Sequence, residues 1–236
     1  MISIASNDRV KQSLSSNWFQ SGFWQEQSAI KGQSKGRHIT WFVKPPIDIS
    51  KKAWVLRHYY RGGMVSKITH DSFFYTGIKN TRPYRELTLL DWMYQADLPV
   101  PKPIAAQVVR KGLFYRADLL MEKLDAKDLV AVLIEKQLQD NIWQKIGKVI
   151  AKFHFKGIFH ADLNAHNILI DKDEKTWLID FDRCERRNSD TDWQQKNLQR
   201  LKRSLLKEKQ LNSEFNFDEK DWSQLIDGYS ANIKPK

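Results

Sequence analysis

Residues 142–182 carry the pattern that most constrains the fold. Ile142, Ile146, Val149, Ile150 and Phe153 recur at helical spacing, and Gly157 is placed to end that helix. A polar loop follows, His160-Ala-Asp162-Leu-Asn-Ala-His166-Asn167. Two short apolar runs, residues 167–170 and 177–180, flank a charged turn over 171–175 and predict paired strands. That pairing would bring Asn167 and Asp180 together although they are far apart in the chain. Asp180-Phe-Asp182 closes the pattern.

The preceding residues read differently. Residues 38–43 and 53–60 are rich in β-branched and aromatic side chains and read as strands. Gly32 and Gly36 lie in a glycine-bearing connection upstream. A helix is expected from about residue 82, with Thr81 as N-cap and Pro83 in the first turn. Glu86, Leu90 and Met93 fall on one face of it. Three prolines make residues 98–103 an extended linker. Strand-like runs follow near 104–109 and 113–121, and residues 192–232 read as helical. The expectation is α+β: a strand-rich N-lobe with one helix (1–121) and a small, mostly helical C-lobe (122–236), two lobes around a cleft.

The polar residues suit phosphoryl transfer, which needs a carboxylate to orient the acceptor hydroxyl and oxygen ligands for magnesium on the nucleotide phosphates. Asp162 can be the first; Asn167 and Asp180 can be the second. Each alone would read as a turn or cap residue. His160 reads as a brace for the loop. His166 is either a substrate contact or an exposed histidine. Asp182 is either a second metal ligand or an ion-pair partner for Arg183 or Arg186.

The spacing His160-x-Asp162-x-x-x-x-Asn167 resembles the catalytic loop of the protein-kinase superfamily, and Asp180-Phe-Asp182 resembles its Asp-Phe-Gly motif with aspartate for glycine. That acidic residue, and the lack of a following Ala-Pro-Glu segment, point away from peptide substrates. The resemblance implies a protein-kinase-like bilobal fold, ATP and Mg²⁺ as cofactors, and a strand lysine paired with a helix glutamate. Glu86 fits the glutamate. The strand Val55-Leu-Arg57 places Arg57 where lysine is expected, and a guanidinium can grip phosphate in bidentate fashion. Lys44 and Lys67 compete for the role. Gly32 and Gly36 are candidates for the loop over the phosphates.

The run from His160 to Ile170, the run from Trp177 to Arg183, residues 55–63, 98–103 and 197–205 together resemble the bacterial lipopolysaccharide kinase family, most closely its members acting on 3-deoxy-D-manno-octulosonic acid (Kdo). The resemblance spans roughly residues 30–230. It implies transfer of the ATP γ-phosphate to the 4-hydroxyl of Kdo on a Kdo–lipid A precursor, at the cytoplasmic face of the bacterial inner membrane. A soluble aminoglycoside, choline or sugar kinase shares the core motifs, and an inactive kinase-like scaffold is the reading that the missing lysine favours.

Composition agrees with an anionic partner. The 236 residues carry a formal charge of +11, which suits an anionic membrane surface or a phosphorylated substrate. Nucleic acid would suit the charge alone, but no recognition motif with its spacing is present, so no nucleic-acid partner is expected. Basic residues concentrate over 183–209, interleaved with Leu198, Leu201 and Leu205. That helix is either a membrane-surface element or a core helix with a solvated basic face. Single Cys184 excludes an internal disulfide. The N-terminus lacks a secretory pattern and no run is long enough to span a bilayer, so a peripheral, monomeric protein in a reducing compartment is expected.

Overall fold

The computed structural model describes residues 1–6, 8–35, 39–46, 50–61 and 71–233. They form a mixed α/β protein with antiparallel sheets and, among the described residues, seven α-helices. The chain divides into two compact units. One holds Met1–Tyr94 and Pro101–Lys123; the other holds Gln95–Val100 and Leu124–Lys236.

The first unit is built on one antiparallel sheet. Its strands are β1 (Ile2–Ala5), β2 (Ile30–Lys35), β3 (Ile39–Val43), β4 (Trp54–His58), β5 (Phe73–Phe74), β6 (Pro103–Lys111) and β7 (Phe114–Glu122). Their order is β1-β6-β7-β4-β3-β2, with β5 also on β7. Strand alternation puts Trp54 and Leu56 of β4 on one face, where they are buried, and Arg57 on the other. The buried face is covered by the N-terminal segment, which contains α1 (Asp8–Ser13) and α2 (Ser21–Glu26). Trp18 and Trp24 pack edge-on against Trp54, at 5.3 and 6.4 Å between ring centroids. The Trp24 indole N–H donates to the Trp18 carbonyl at 2.8 Å. Three of the nine tryptophans therefore serve the packing of this unit.

The third helix, α3 (Arg82–Gln95), buries Glu86, Leu87, Leu90 and Met93. Thr81 holds the expected N-cap position, its carbonyl accepting from the Arg85 N–H at 3.1 Å, but its hydroxyl does not cap the helix. The Thr81 hydroxyl donates to the Ile78 carbonyl at 2.6 Å, and the Tyr115 hydroxyl instead accepts from the Arg82 N–H at 3.0 Å. Three further expectations need correction. Gly32 lies inside β2, at a bulge opposite β3, because pairing with β3 overrides the weak strand propensity of this stretch; Gly36 lies outside the described residues. The unit contains α1 and α2 besides the one helix expected. Residues 98–103 hold no helix, as expected, but are packed and not a bare linker: Leu98 and Val100 are buried, the Pro99 carbonyl accepts from the Leu178 N–H at 3.0 Å, and Pro103 opens β6.

The second unit contains β8 (Ala126–Asp128), α4 (Leu129–Glu135), α5 (Asp140–Phe155), β9 (Ile158–Phe159), β10 (Ile168–Asp171), β11 (Thr176–Leu178), β12 (Glu185–Arg186), α6 (Thr191–Leu211) and α7 (Glu219–Ser230). Strands pair in the order β11-β10-β8, and β12 pairs β9. Gly157, at φ 74°, ends α5; a Cβ there would sit 2.3 Å from the Arg187 carbonyl oxygen. The C-terminal stretch is two helices and not one. Asp218 and Asp221 form a reciprocal capping box that restarts the chain as α7. Helices α5 and α7 cross at Gly147 and Gly228, where backbone meets backbone.

Candidate active site

In the second unit the loop between β9 and β10 is held almost entirely through its backbone. The His160 ring is buried, and burial pushes its pKa down, so the imidazole is neutral. Its Nε2 lies 3.0 Å from the Ile179 carbonyl and must donate; its Nδ1 accepts from the Asp162 N–H at 3.2 Å. His160 therefore acts as a brace. Phe181 packs against it, with Phe153 stacked behind at 5.9 Å. The Cys184 sulfur accepts from the Ala161 N–H at 3.2 Å.

Asn164 caps the short 3-10 turn over Ala165–Asn167, its Oδ1 accepting from the backbone of His166 and Asn167 at 2.9 and 3.2 Å. The Asp162 carbonyl accepts from both the Asn164 and the Asn167 side-chain amides, at 3.1 and 2.9 Å. This leaves the Asp162 side chain projecting from a fixed backbone, 47% exposed.

Helix α6 supplies the outer support. Asn197 clamps the His160 peptide on both sides: its Oδ1 accepts from the His160 N–H at 3.2 Å and its Nδ2 donates to the His160 carbonyl at 3.0 Å. Arg200 forms an ion pair with Asp162, its Nε donating to Oδ1 at 3.0 Å. The Ser204 hydroxyl accepts from the Ala165 N–H at 3.1 Å. Glu208 lies 3.4 Å from His166, whose other ring nitrogen is 3.4 Å from Asp128. Residues 197, 200, 204 and 208 share one helix face, beside the buried stripe Leu198, Leu201 and Leu205. The leucines are thus core residues. The support role of Asn197, Arg200 and Ser204 escaped the sequence reading, which grouped Arg200 with the basic surface. The visible signal was a polar stripe flanking the leucines.

Asn167 and Asp180 come together through strand pairing. The Ile179 N–H donates to the Asn167 carbonyl at 3.0 Å, continuing the pairing of Ile168 with Leu178. Asp180 then turns the chain in the left-handed region, φ 62°, a conformation uncommon outside glycine but tolerated by aspartate. With its Nδ2 spent on the Asp162 carbonyl, Asn167 keeps its Oδ1 as an open acceptor among the described residues. An amide oxygen and a carboxylate are the hard donors that magnesium takes, and two such ligands completed by nucleotide phosphates are its usual setting. The pair fits that ion. No group of three or more His, Cys, Asp or Glu among the described residues could hold a metal unaided. Asp182 lies 3.9 Å from the Arg183 guanidinium.

In the first unit, Arg57 of β4 forms an ion pair with Glu86 of α3. The Glu86 side chain is 1% exposed. It also accepts from the Tyr59 hydroxyl at 2.5 Å, and the Arg57 guanidinium lies 4.8 Å from the Tyr59 ring centroid. Burial, reinforced by the Glu86 charge, raises the Tyr59 pKa well above its ordinary value, so Tyr59 remains a donor. Lys44 is exposed beyond the end of β3, while Lys67 lies outside the described residues. Of the sequence candidates, Arg57 is the cation that meets Glu86; Gly32 sits in the bulge of β2.

The sequence profile of the lipopolysaccharide kinase (Kdo/WaaP) family matches residues 21–229. A protein named 3-deoxy-D-manno-octulosonic acid kinase from Mannheimia succiniciproducens is 46% identical over 218 residues, covering 90% of both chains. Proteins of the same name from Actinobacillus succinogenes and Vibrio cholerae are 46% and 47% identical, covering 90% and 79% of this chain and 89% and 77% of their own.

Proposed function

The chain belongs to the lipopolysaccharide kinase (Kdo/WaaP) family, and from that premise we propose that it transfers the γ-phosphoryl group of ATP to the 4-hydroxyl of Kdo on a Kdo–lipid A precursor. The observation that carries the chemistry is the setting of Asp162. Its loop spends the Asn164 side chain, the Asn167 Nδ2 and the His160 Nδ1 on fixing its own backbone, while this carboxylate is half exposed and its Oδ2 has no partner among the described residues. A hydroxyl can donate to that oxygen and lose its proton there late in transfer.

Asn167 and Asp180 would hold magnesium. Held there, it would supply positive charge to offset that developing on the phosphates. Arg57 grips the nucleotide phosphates, and Glu86 with Tyr59 fixes the guanidinium in place. Kinase relatives named for Kdo support the acceptor class.

A lipid-borne acceptor also requires a membrane surface. No helix among the described residues is long and apolar enough to cross a membrane. The outer face of α6 presents Arg203, Leu206 and Lys207, exposed, and suits the anionic cytoplasmic leaflet of the inner membrane.

The test is incubation with radiolabelled ATP and a Kdo–lipid A precursor, beside soluble Kdo and an aminoglycoside. Label is expected in the lipid, and Asp162→Asn should lower the rate by roughly 10²–10⁴-fold while leaving the fold intact. Near-normal transfer by Asp162→Asn would remove Asp162 from the chemistry. Label in the aminoglycoside alone would make the protein a soluble small-molecule kinase.

A further inference from the structure

The loop from His160 to Asn167 contains no lysine or arginine, so the cation beside Asp162 has to come from elsewhere, and α6 supplies it as Arg200. The pair does little for stability. Both side chains are about half exposed, 48% and 47%, and ion pairs so exposed add little to stability. Helix α6 is already seated by Leu198, Leu201 and Leu205, and the loop by Asn197 and Ser204.

The pairing is also one-sided. Arg200 directs Nε and Nη2 at the same oxygen, Asp162 Oδ1. Asp162 Oδ2 and Arg200 Nη1 have no partner among the described residues. Side by side, the pair thus presents one open acceptor and one open guanidinium nitrogen. A neutral sugar alcohol needs only the acceptor. A sugar acid whose carboxyl-bearing ring carbon is two ring bonds from its reacting hydroxyl can use both, the hydroxyl on Asp162 and the carboxylate on Arg200.

The geometry points to Arg200 as the residue that selects a carboxylated acceptor, by binding the sugar's carboxylate while Asp162 holds its hydroxyl. This inference rests on the Kdo reading above. It assigns a specificity role to a residue on a helix, 38 positions beyond the aspartate it serves.

The experiment compares two acceptors, the Kdo–lipid A precursor and the same compound with the phosphorylated sugar's carboxyl as its methyl ester, for wild type, Arg200→Gln and Arg200→Lys. Wild type should prefer the acid by about tenfold in kcat/KM, chiefly through KM. Arg200→Gln should lose more on the acid than on the ester, bringing the two acceptors to within about twofold of each other, and keep its KM for ATP within about twofold. Arg200→Lys, which keeps the charge without the fork, should fall between. The inference is overturned if Arg200→Gln still prefers the acid, if its KM for ATP rises in place of the acceptor's, or if both acceptors suffer equally with a lowered unfolding temperature. The first outcome frees the carboxylate from Arg200, the second puts Arg200 on the nucleotide, and the third makes it structural. A wild-type protein inactive on both acceptors would instead bring down the Kdo reading, and this inference with it.

Discussion

Glu86 is buried, and Arg57 and Tyr59 both donate to it. Taking away either the charge or its partner leaves the other stranded. Glu86→Gln should destabilise the protein by about 3 kcal/mol, the usual penalty for breaking a buried ion pair, and should raise the KM for ATP. Tyr59→Phe removes one charge-assisted hydrogen bond and leaves the ion pair, so a loss of about 1.5–3 kcal/mol is expected, with a smaller effect on ATP. Urea unfolding and ATP titrations of both proteins measure this. Equal effects on KM would mean that the ion pair has no part in binding nucleotide. The Arg57 candidate was legible from its strand position alone. Tyr59 was not, because two residues along a strand says nothing of which helix residue the side chain meets.

At the scale of elements, the crossing of α5 and α7 sets two effects of opposite sign against each other. Replacing a helical glycine by alanine ordinarily gains up to about 1 kcal/mol of helix propensity. Here a Cβ at Gly147 would lie 1.9 Å from the Leu225 carbonyl oxygen, and one at Gly228 would lie 2.2 Å from that of Gln144. The helices would have to separate, at a cost of several kcal/mol that exceeds the gain. Gly147→Ala and Gly228→Ala should therefore each lower the melting temperature. Thermal unfolding decides it, and an unchanged or higher melting temperature for either variant would contradict the close crossing. Nothing in the local sequence announced this contact. Gly147 sits within a good helical stripe, and its meaning depends on a helix some eighty residues later. The β10–β11 hairpin is the opposite case. Its strands, turn and polar ends were all readable, since its information lies within about a dozen residues.

For the molecule as a whole, buried histidines set the acid limit. Burial holds His154, which meets the Tyr229 hydroxyl at 2.9 Å, at a pKa of about 3, and also lowers that of His160. Both are neutral when folded, whereas in the unfolded chain they protonate near pH 6.5. The unfolded state thus binds more protons as pH falls, and stability present above about pH 6.5 is lost below it, by up to about 1.4 kcal/mol per pH unit for each histidine. His58 works in the other direction. Burial lowers its pKa, but Asp118 at 2.7 Å and Asp71 at 3.2 Å outweigh that and raise it, so its contribution is present at low pH and fades as pH rises through its folded pKa. Melting temperatures from pH 8 to pH 5 should fall on the acid side, and His154→Gln should flatten the fall. An equally steep profile in that variant would exclude His154 as the source.

The membrane contact proposed for the outer face of α6 belongs to this scale as well. Arg203→Gln with Lys207→Gln should weaken binding to anionic vesicles by about 2 kcal/mol, near thirtyfold, at roughly 1 kcal/mol per basic residue. Co-sedimentation at low and high salt measures it, and binding insensitive to both the substitutions and the salt would place the membrane contact elsewhere.

By itself the sequence determined the polar loop over 160–167, the hairpin that joins Asn167 to Asp180, the helix bearing Glu86 and the family, because turn residues and short periodicities act between near neighbours. Only the tertiary structure decided that Asn197 clamps His160, that Arg200 meets Asp162, that Arg57 and Tyr59 share one carboxylate, and that residues 98–100 pack within the second unit. Those pairings join residues that the chain separates widely. The buried ones form because charges and peptide groups must find partners once packing has excluded water, the exposed Arg200–Asp162 pair because packing seats α6 beside the loop, and packing is a property of the whole fold.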